Sequence, residues 1–336
     1  MNYKSKKLLI YGTGAVGGYY GGMLVKAGYD VTFVARGENY KTLREKGLTL
    51  ICEGKKEIIP INVVETLPAL GPASTRHLGE AGETRSQSER NETSLQGKFD
   101  YIFICVKSMD TKEAAENIVN NVGENTTVIS FQNGVDNEDI IADIIGQDKV
   151  IGGLVFVASR LASPGVIEQF GYNGALIGEL YSNEKLNWVG TGRDLCLQEI
   201  LTESGIDCKI SEKMRGELWN KLVWNASFNP LSVLTGKTVD RLLEEDYELI
   251  KTIMTEVKNV AVAHLINIRP DTVEFNLNRS KGFTGFKTSM LQDFEKGKPI
   301  ELEELVGVVI KKAREKNVPV SNIERVYTKL KQQSKK

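Results

Sequence analysis

The N-terminal stretch LLIYGTGAVGGYYGGMLVKAGYDVTFVARG constrains the fold more than any other part of this 336-residue chain. Gly12, Gly14 and Gly17 have GxGxxG spacing, directly after an apolar β-type run and at the start of a helical pattern. A second β-type run follows at residues 31–35. Glycines in this context permit a tight turn whose amides and helix N-terminus hold a pyrophosphate. The stretch predicts a dinucleotide-binding βαβ unit, the alternative being a glycine-rich turn that binds nothing.

The residue after the second run indicates which dinucleotide binds. NAD enzymes usually place an acidic residue there for the ribose hydroxyls, whereas this chain has Arg36. A guanidinium is planar, always charged and suited to bidentate phosphate contact, so Arg36 favours the 2′-phosphate of NADP. The alternative is a solvated arginine at a strand end.

The first half of the chain alternates short β-type runs with amphipathic stretches. This alternation predicts a parallel sheet covered by helices. The runs VIEQF and GALIGEL, separated by a glycine-rich turn, predict a hairpin that closes this part of the chain. The predicted parallel strands are residues 8–12, 31–35, 101–106, 127–131 and 150–159.

From about Ser211 onward, the apolar residues follow a helical period. We therefore predict an α/β, Rossmann-like NADP-binding domain over residues 1–211 and an all-α C-terminal substrate and catalytic domain over residues 212–336. The polar segment 70–98, rich in Gly, Ser, Thr and charge, predicts a mobile surface insertion in the first domain. One helical stripe comprises Leu242, Ile250, Ile253, Val257, Val260 and Ala261.

Composition excludes several classes of partner. The 43 basic and 44 acidic residues leave a charge of −1, so no overall field would hold nucleic acid. No stretch approaches the roughly 18 apolar residues of a membrane span, so we expect no membrane association. The four cysteines lack metal-type spacing, which argues against a metal site and favours the cytoplasm. The sequence is compatible with a homodimer.

Two polar residues follow predicted strands. Lys107 follows YIFICV, and Asn133 follows TVISF, so both lie at carboxyl ends of parallel strands, where ligands bind in open α/β sheets. Each has an ordinary alternative, since Lys107 could be a surface lysine and Asn133-Gly134 a turn dipeptide.

The stretch WNKLVWNASFNPLSVLTG supplies a candidate acid. Lys221, Asn225 and Asn229 recur at four-residue steps and share one helix face, although Pro230 predicts a kink or break beside Asn229. A lysine among apolar neighbours loses hydration, which lowers its pKa toward neutral pH. The spacing alone also allows a lysine that extends to solvent beside packing asparagines.

Other proton donors have weaker settings. The two histidines are His77, inside the polar insertion, and His264, inside an apolar run that predicts a core histidine. YxxxK pairs occur at Tyr247 and at Tyr327, but both lie in the helical half and are interpreted as chance.

The motifs GTGAVGG, VARG, CVKS, FQNGV, KLVWNASFNPLSVLTG and TSMLQDFEKGKPIELE, in that order, resemble the ketopantoate reductase (2-dehydropantoate 2-reductase) family. The resemblance covers nearly the whole chain apart from the insertion. It implies NADPH-dependent reduction of a small 2-oxo acid, 2-dehydropantoate, to (R)-pantoate on the route to pantothenate and coenzyme A.

The resemblance also implies roles for individual residues. Lys221 would donate the proton. Asn133, Asn225, Asn229 and Ser289 would contact the substrate, Ser289 at its carboxylate or hydroxyl. NADPH would contact Gly12, Thr13, Gly14, Ala15, Val16, Gly17, Arg36, Lys107, Asn133, Ala158 and Glu301. Without the resemblance, Ser289 is an ordinary helical serine, and Glu301 is a carboxylate that offsets a helix dipole.

Three alternatives stay open. Relatives in the family could act on another 2-oxo acid. A β-hydroxyacid dehydrogenase also pairs Lys and Asn as KxxxN, although its usual Gly/Ser-rich stretch is replaced here by EKMRGELWNK. A non-catalytic NADP(H) sensor would need the nucleotide turn but no proton donor.

Overall fold

The computed structural model describes residues 3–67, 98–181 and 192–333. The predicted insertion at 70–98, except for Lys98, lies outside these ranges, and so does His77. The chain forms two compact units, and the main division falls between Ile210 and Ser211. The first unit comprises Met1–Val106, Asp110–Gln132 and Glu138–Ile210, and the second comprises Lys107–Met109, Asn133–Asn137 and Ser211–Lys336. The assignment of NADP binding to one and substrate chemistry to the other stays a prediction.

Ten strands of the described ranges form the sheet of the first unit, in the order β4-β3-β9-β8-β7-β6-β1-β2-β5, with β10 paired to β9. The strands are β1 Lys7–Tyr11, β2 Asp30–Val34, β3 Leu48–Cys52, β4 Lys55–Ile59, β5 Asn62–Val64, β6 Tyr101–Ile104, β7 Thr127–Ser130, β8 Val150–Ser163, β9 Val166–Gly178 and β10 Asp207–Ile210. The five predicted strands are β1, β2, β6, β7 and β8, and their parallel pairing is confirmed. The sheet is mixed, because β3–β4 and β8–β9 are antiparallel.

The hairpin predicted within VIEQF and GALIGEL is wrong. VIEQF and the first five residues of GALIGEL belong to the single strand β9, whose hairpin partner is β8. The turn lies between these strands, where Gly165 has a φ of +72°. The glycine-rich stretch beside Gly171 is instead taken up as an irregularity of the β8–β9 register. On both sides of that irregularity, β9 pairs with β8, so its backbone N–H and C=O groups are hydrogen-bonded without a second turn.

Helices cover both faces of the sheet. Leu8 and Ile10 of β1 pack in one buried cluster and Leu9 and Tyr11 in the other, as strand alternation requires. The first cluster includes residues of α1, α2 and α5, and the second includes residues of α3 and α4. The helices are α1 Ala15–Lys26, α2 Gly37–Lys46, α3 Thr111–Ile118, α4 Asn137–Ile145 and α5 Gly192–Glu203.

Residues 211–333 contain helices and no strand, which confirms the predicted all-α half. All six residues of the predicted stripe are fully buried. In the described part of the chain, no helix has the length and apolar character needed to cross a membrane. The helices are α6 Met214–Thr235, α7 Val239–Glu245, α8 Tyr247–Ala263, α9 Thr272–Ser280, α10 Ser289–Glu295, α11 Val308–Glu315 and α12 Ser321–Gln333, with a π-helical segment at Glu303–Gly307.

A kink or break was predicted beside Asn229, and the break is wrong, because α6 continues through Pro230 to Thr235. The kink stays a prediction. Pro230 removes one backbone donor, but α6 is buried over most of its length, so packing favours continuation. Ser232 Oγ also donates to the carbonyl oxygen of Asn229 at 2.7 Å. Asn229 therefore stays in helical register with Lys221 and Asn225.

Glu256 of α8 joins two helices of the second unit. Its buried carboxylate accepts hydrogen bonds from the amides of Asn322 and Ile323 at 3.0 and 2.9 Å, and from Asn322 Nδ2 at 2.8 Å. These amides belong to the first turn of α12, where backbone donors lack intrahelical partners and a carboxylate complements the helix dipole.

We predict that Glu256→Ala lowers the free energy of unfolding by about 1–3 kcal/mol, because it leaves buried donors without acceptors. Urea denaturation measures the loss. Lys251→Ala, at an exposed position of the same helix, is the control and should change stability by less than about 0.5 kcal/mol. Equal stability of the two variants would contradict this role for Glu256.

Candidate active site

The glycine turn is fixed by the end of β2. The amides of Gly12 and Thr13 donate to the carbonyl oxygen of Val34 at 3.2 and 3.1 Å, and Thr13 Oγ1 donates to the same oxygen at 2.9 Å. Gly12 has a φ of +102°, which disfavours any side chain. A Cβ on Gly17 would lie 2.1 Å from the carbonyl oxygen of Gly12. The turn therefore has one tight conformation that only glycine permits at both positions.

Gly14 faces open space and fits a bound pyrophosphate. A Cβ built on Gly14 meets no heavy atom within 4 Å, so packing does not explain this glycine. Gly14 is the N-cap of α1 and provides no side-chain cap, which leaves the first-turn amides of α1 available to an anion. These features fit a dinucleotide, because its diphosphate must approach the backbone closely and accept hydrogen bonds from backbone amides.

Asn39 supports the turn and was not identified from the sequence. Its Nδ2 donates to the carbonyl oxygen of Thr13 at 2.7 Å, and its Oδ1 accepts from the amide of Gly165 at 2.7 Å. Asn39 thus ties the glycine turn to the β8–β9 hairpin. No sequence signal marks it, because both partners are backbone atoms of distant segments.

Arg36 lies two residues after the end of β2 and is the N-cap of α2. Its guanidinium contacts Glu113 Oε1 at 2.5 Å, and 58% of its side chain is exposed. An exposed ion pair contributes little stability, so a phosphate can replace the Glu113 carboxylate at small cost. The position and exchangeable partner of Arg36 fit a contact to the 2′-phosphate of NADP.

Ala158 lies near the same turn. It is half-buried in β8, between two shifts of the β8–β9 register. The next residue, Ser159, donates from Oγ to the carbonyl oxygen of Ala15 at 3.3 Å. The bulged part of β8 therefore runs beside the start of α1.

The second unit brings together Lys107, Asn133 and Glu301, which are far apart in sequence. The buried Glu301 carboxylate accepts from the Ser108 amide at 2.9 Å and lies 3.3 Å from Lys107 Nζ. Ser108 Oγ donates to the carbonyl oxygen of Asn133 at 2.5 Å. The segments after β6 and β7 are thus fixed to each other and to Glu301.

Lys107 also contacts Asp293, a residue that the sequence reasoning missed. Its Nζ lies 2.6 Å from Asp293 Oδ2. Burial lowers the pKa of Lys107, but the carboxylates of Glu301 and Asp293 outweigh burial and leave this pKa raised. Lys107 is therefore a permanently charged cation. Helical spacing could have found Asp293, which lies four residues after Ser289 on α10.

Lys221, Asn225 and Asn229 lie on consecutive turns of α6, as predicted. Lys221 is half-buried, whereas Asn225 and Asn229 are buried. Neither polar atom of the Asn229 side chain has a hydrogen-bond partner among the described residues. Leaving a buried amide unpaired is unfavourable, and native proteins seldom do so without a ligand or ordered water. The Asn229 amide is therefore placed to bind a polar ligand.

The pKa of Lys221 is lowered from 10.5 to about 8. Burial of the ammonium is the main cause, the positive charge of Arg279 lowers the pKa further, and the carboxylate of Glu301 acts in the opposite direction. A lysine with a pKa near 8 is still mostly protonated at pH 7 and releases its proton more readily than an ordinary lysine.

Ser289 is exposed at the first position of α10. The N-cap Thr288 accepts from the Leu291 amide at 3.2 Å, and its Oγ1 lies 2.6 Å from Ser232 Oγ of α6. The start of α10 is therefore fixed to α6 three residues beyond Asn229.

The contacts of His264 and of the Tyr327–Lys331 pair do not support either as the proton donor. His264, at the end of α8, was predicted to be a core residue, but it is only half-buried. Its Nε2 lies 2.9 Å from the carbonyl oxygen of Lys312 of α11. Tyr327 and Lys331 of a YxxxK pair contact each other at 2.7 Å, and both bind the Glu303 carboxylate. These contacts give each group a structural partner.

A dinucleotide turn in an α/β unit and a lysine of lowered pKa in a helical unit define an oxidoreductase of the nicotinamide type. The family pattern described as "Ketopantoate reductase PanE/ApbA" matches residues 8–182, and its C-terminal pattern matches residues 213–334. The chain belongs to this family. The family is NADPH-dependent and acts on a CH–OH group.

Curated relatives agree with this membership. The chain is 30% identical to the 2-dehydropantoate 2-reductase of Nostoc sp., with 97% of this chain and 94% of the relative covered. It is 28% identical to the 2-dehydropantoate 2-reductase of Mesorhizobium japonicum, with 95% of each covered. The crystal structure of the 2-dehydropantoate 2-reductase of Geobacter metallireducens is similar at a TM-score of 0.83 and 26% identity, with 97% of this chain and 99% of that chain covered. The predicted family and fold class are confirmed.

We predict that Arg36→Ala weakens NADPH binding by about 10- to 100-fold, because a charged hydrogen bond to phosphate contributes roughly 1.5–3 kcal/mol. Isothermal titration calorimetry with NADPH and NADH measures the change. NADH, which lacks the 2′-phosphate, should bind nearly as well as it does to the wild type. Glu113→Gln is the control and should not weaken NADPH binding. Equal losses for NADPH and NADH in Arg36→Ala would refute the assignment.

Proposed function

We propose that this chain reduces 2-dehydropantoate to (R)-pantoate with NADPH, a step of pantothenate and coenzyme A biosynthesis. The observation that carries the proposal is the lowered pKa of Lys221, an acid on one face of α6 with Asn225 and Asn229. The names of the curated relatives support ketopantoate as the substrate over other 2-oxo acids. The free cysteines favour a reducing compartment, and we place the reaction in the cytoplasm.

Residues of both units would hold the cofactor. The turn from Gly12 to Gly17 would bind the pyrophosphate, and Arg36 would bind the 2′-phosphate. Ala158 would contact the cofactor through its backbone. Lys107, Asn133 and Glu301 would lie at its nicotinamide and ribose side, and Asn133 would also contact the substrate. NADPH, when bound, supplies the hydride that adds to C2 of the oxo acid.

Lys221 would act on the oxygen of the reacting carbonyl. Its ammonium donates a hydrogen bond to that oxygen, which polarises the carbonyl and stabilises the negative charge that grows there. It then transfers its proton to the same oxygen and completes the hydroxyl. Because the acid must be protonated, reduction should slow as pH rises through about 8, the pKa of Lys221.

The asparagines and Ser289 would orient the substrate. Asn229 is buried with both side-chain polar atoms unpartnered, so a substrate hydroxyl or carboxylate would satisfy it. Asn225 lies between Asn229 and Lys221 on the same face, one turn from each. Ser289 is the first residue of α10, and its hydroxyl would donate a hydrogen bond to the substrate carboxylate or hydroxyl.

We predict that Lys221→Ala lowers kcat for ketopantoate reduction by roughly 10²- to 10⁴-fold, the usual loss on removing a positioned general acid. NADPH affinity should change little. The assay is NADPH oxidation with ketopantoate, and the wild type should prefer it to 2-oxoisovalerate, pyruvate and a β-keto acid.

Lys251→Ala, an exposed lysine variant in the same unit, should keep full turnover. Near-normal turnover by Lys221→Ala would end the assignment of Lys221 as the acid. A wild-type protein that binds NADPH but reduces none of the four acids would contradict the proposed function and favour a nucleotide sensor.

A further inference from the structure

Tyr11 is a polar residue at the carboxyl edge of the sheet for which the motifs predicted no role. It is the last residue of β1 and immediately precedes Gly12 of the glycine turn. Its backbone is held on both sides, because β1 pairs with β2 at Val34 and with β6 at Ile104. Arg36, the proposed contact of the 2′-phosphate, is only two residues beyond Val34. Tyr11 is therefore fixed next to the segment that carries Arg36.

The Tyr11 ring is buried, but its hydroxyl reaches exposed side chains. Tyr11 is only 4% exposed and packs in the second buried cluster with Leu9 and Val34. Its Oη accepts hydrogen bonds from Asn117 Nδ2 of α3 at 2.9 Å and from Arg36 Nη2 at 3.5 Å. Arg36 and Asn117 are both exposed. The packed ring therefore holds the hydroxyl in one place, at the base of a polar patch that a ligand can reach.

The two donors around Tyr11 Oη determine what its hydroxyl hydrogen can do. A tyrosine hydroxyl donates one hydrogen bond and can also accept hydrogen bonds. Asn117 and Arg36 both direct N–H groups at Oη, so the hydrogen of the hydroxyl must point away from them. Among the residues that the structure describes, none accepts a hydrogen bond from Tyr11 Oη. The hydroxyl is thus placed to donate to an acceptor beside Arg36.

Glu113 shows that an anionic group fits at this position. Its Oε1 lies 2.5 Å from Arg36 Nη2, the same atom that contacts the Tyr11 hydroxyl. An anion that replaces the Glu113 carboxylate therefore lies beside that hydroxyl. A phosphate monoester carries a charge of about −1.5 to −2 at pH 7 and is a stronger partner for Arg36 than one carboxylate. More than half of the Glu113 side chain is exposed, so it can turn away with little loss of stability.

We propose that the Tyr11 hydroxyl donates a hydrogen bond to the 2′-phosphate of NADPH and contributes to the choice of NADPH over NADH. This inference rests on the proposed function, because it uses the phosphate contact assigned to Arg36. Arg36 supplies the charge and a planar set of donors, and Tyr11 adds one donor from a fixed ring. Asn117 orients the hydroxyl by donating to its oxygen. NADH has a neutral 2′-hydroxyl at this position, which gains less from the same hydrogen bond.

Calorimetry with NADPH and NADH tests the proposal in a variant that loses a single oxygen atom. Tyr11→Phe keeps the buried ring, so the packing of β1 beside the glycine turn is preserved. We expect it to weaken NADPH binding by about 10-fold, as for loss of a hydrogen bond to a charged group, and NADH binding by less than about 3-fold. The ratio of the two dissociation constants is the decisive readout, because a purely structural effect would change both constants alike.

Tyr29→Phe is the matched control. Tyr29 is also 4% exposed, and its hydroxyl donates to Glu203 Oε2 at 2.7 Å. It immediately precedes β2, whereas Arg36 follows the carboxyl end of that strand. The substitution therefore removes the same atom and a hydrogen bond to a charged group, but at the opposite edge of the sheet. It should leave the ratio of the NADPH and NADH dissociation constants unchanged.

A double variant separates a direct contact from an effect through Arg36. In the Arg36→Ala background, Tyr11→Phe should weaken NADPH binding further and change NADH binding little, because the hydroxyl itself contacts the phosphate. If Tyr11→Phe causes no further loss in that background, Tyr11 acts only by positioning Arg36, and the inference is overturned.

The inference and the proposed function can fail separately. An unchanged ratio of dissociation constants in Tyr11→Phe, together with a selective loss of NADPH binding in Arg36→Ala, would overturn the inference and leave the proposed function intact. If Arg36→Ala also shows no selective loss, the 2′-phosphate binds elsewhere, and the inference is overturned together with the Arg36 contact. Turnover of ketopantoate by the wild type then decides the proposed function, because that assay does not depend on where the phosphate lies.

Discussion

Burial of the Lys221 ammonium is the constraint on which the proposed chemistry depends. Burial and the nearby Arg279 disfavour the charged form, and Glu301 only partly offsets them. The pKa therefore falls from 10.5 in the unfolded chain to about 8 in the folded protein, and the unfolded chain binds more protons between these values. The full destabilising effect of this charge is present below about pH 8 and is relieved as pH rises toward 10.5. Such a cost is typical of sites where function, not stability, selects the residue.

The candidate residues of each unit are held by different physical means. In the first unit, backbone hydrogen bonds to Val34 and contacts of Asn39 shape the glycine turn, so the proposed pyrophosphate contact would depend on main-chain geometry. In the second unit, side chains dominate, with Glu301 joining the Ser108 amide and Lys107. Substitution of a glycine in the turn should therefore change the shape of the backbone. Substitution of Lys107 or Glu301 in the second unit should instead change the local charge.

The sequence predicted those parts of the structure that local patterns encode. GxGxxG between two apolar runs predicted β1, α1 and β2, and the four-residue spacing predicted the row of Lys221, Asn225 and Asn229. It did not reveal that β9 pairs with β8 over its whole length, because long-range pairing converts an apparent turn into a bulge. The break that it allowed at Pro230 does not occur, because burial of α6 overrides the local preference of proline. The effect of the Arg279 charge on the pKa of Lys221 could not be found from spacing, since it depends on how α9 packs against α6.

The most direct test of this account is an NMR titration of the Lys221 side chain, assigned by comparison with a Lys221→Arg variant. The account predicts that the Lys221 ammonium in the cofactor-free protein titrates near pH 8, well below the value near 10.5 of an exposed lysine. Removal of the Arg279 charge should move that midpoint upward. A Lys221 pKa near 10.5 would contradict the central claim, because the lysine would then be an ordinary solvated cation and not an acid prepared by burial.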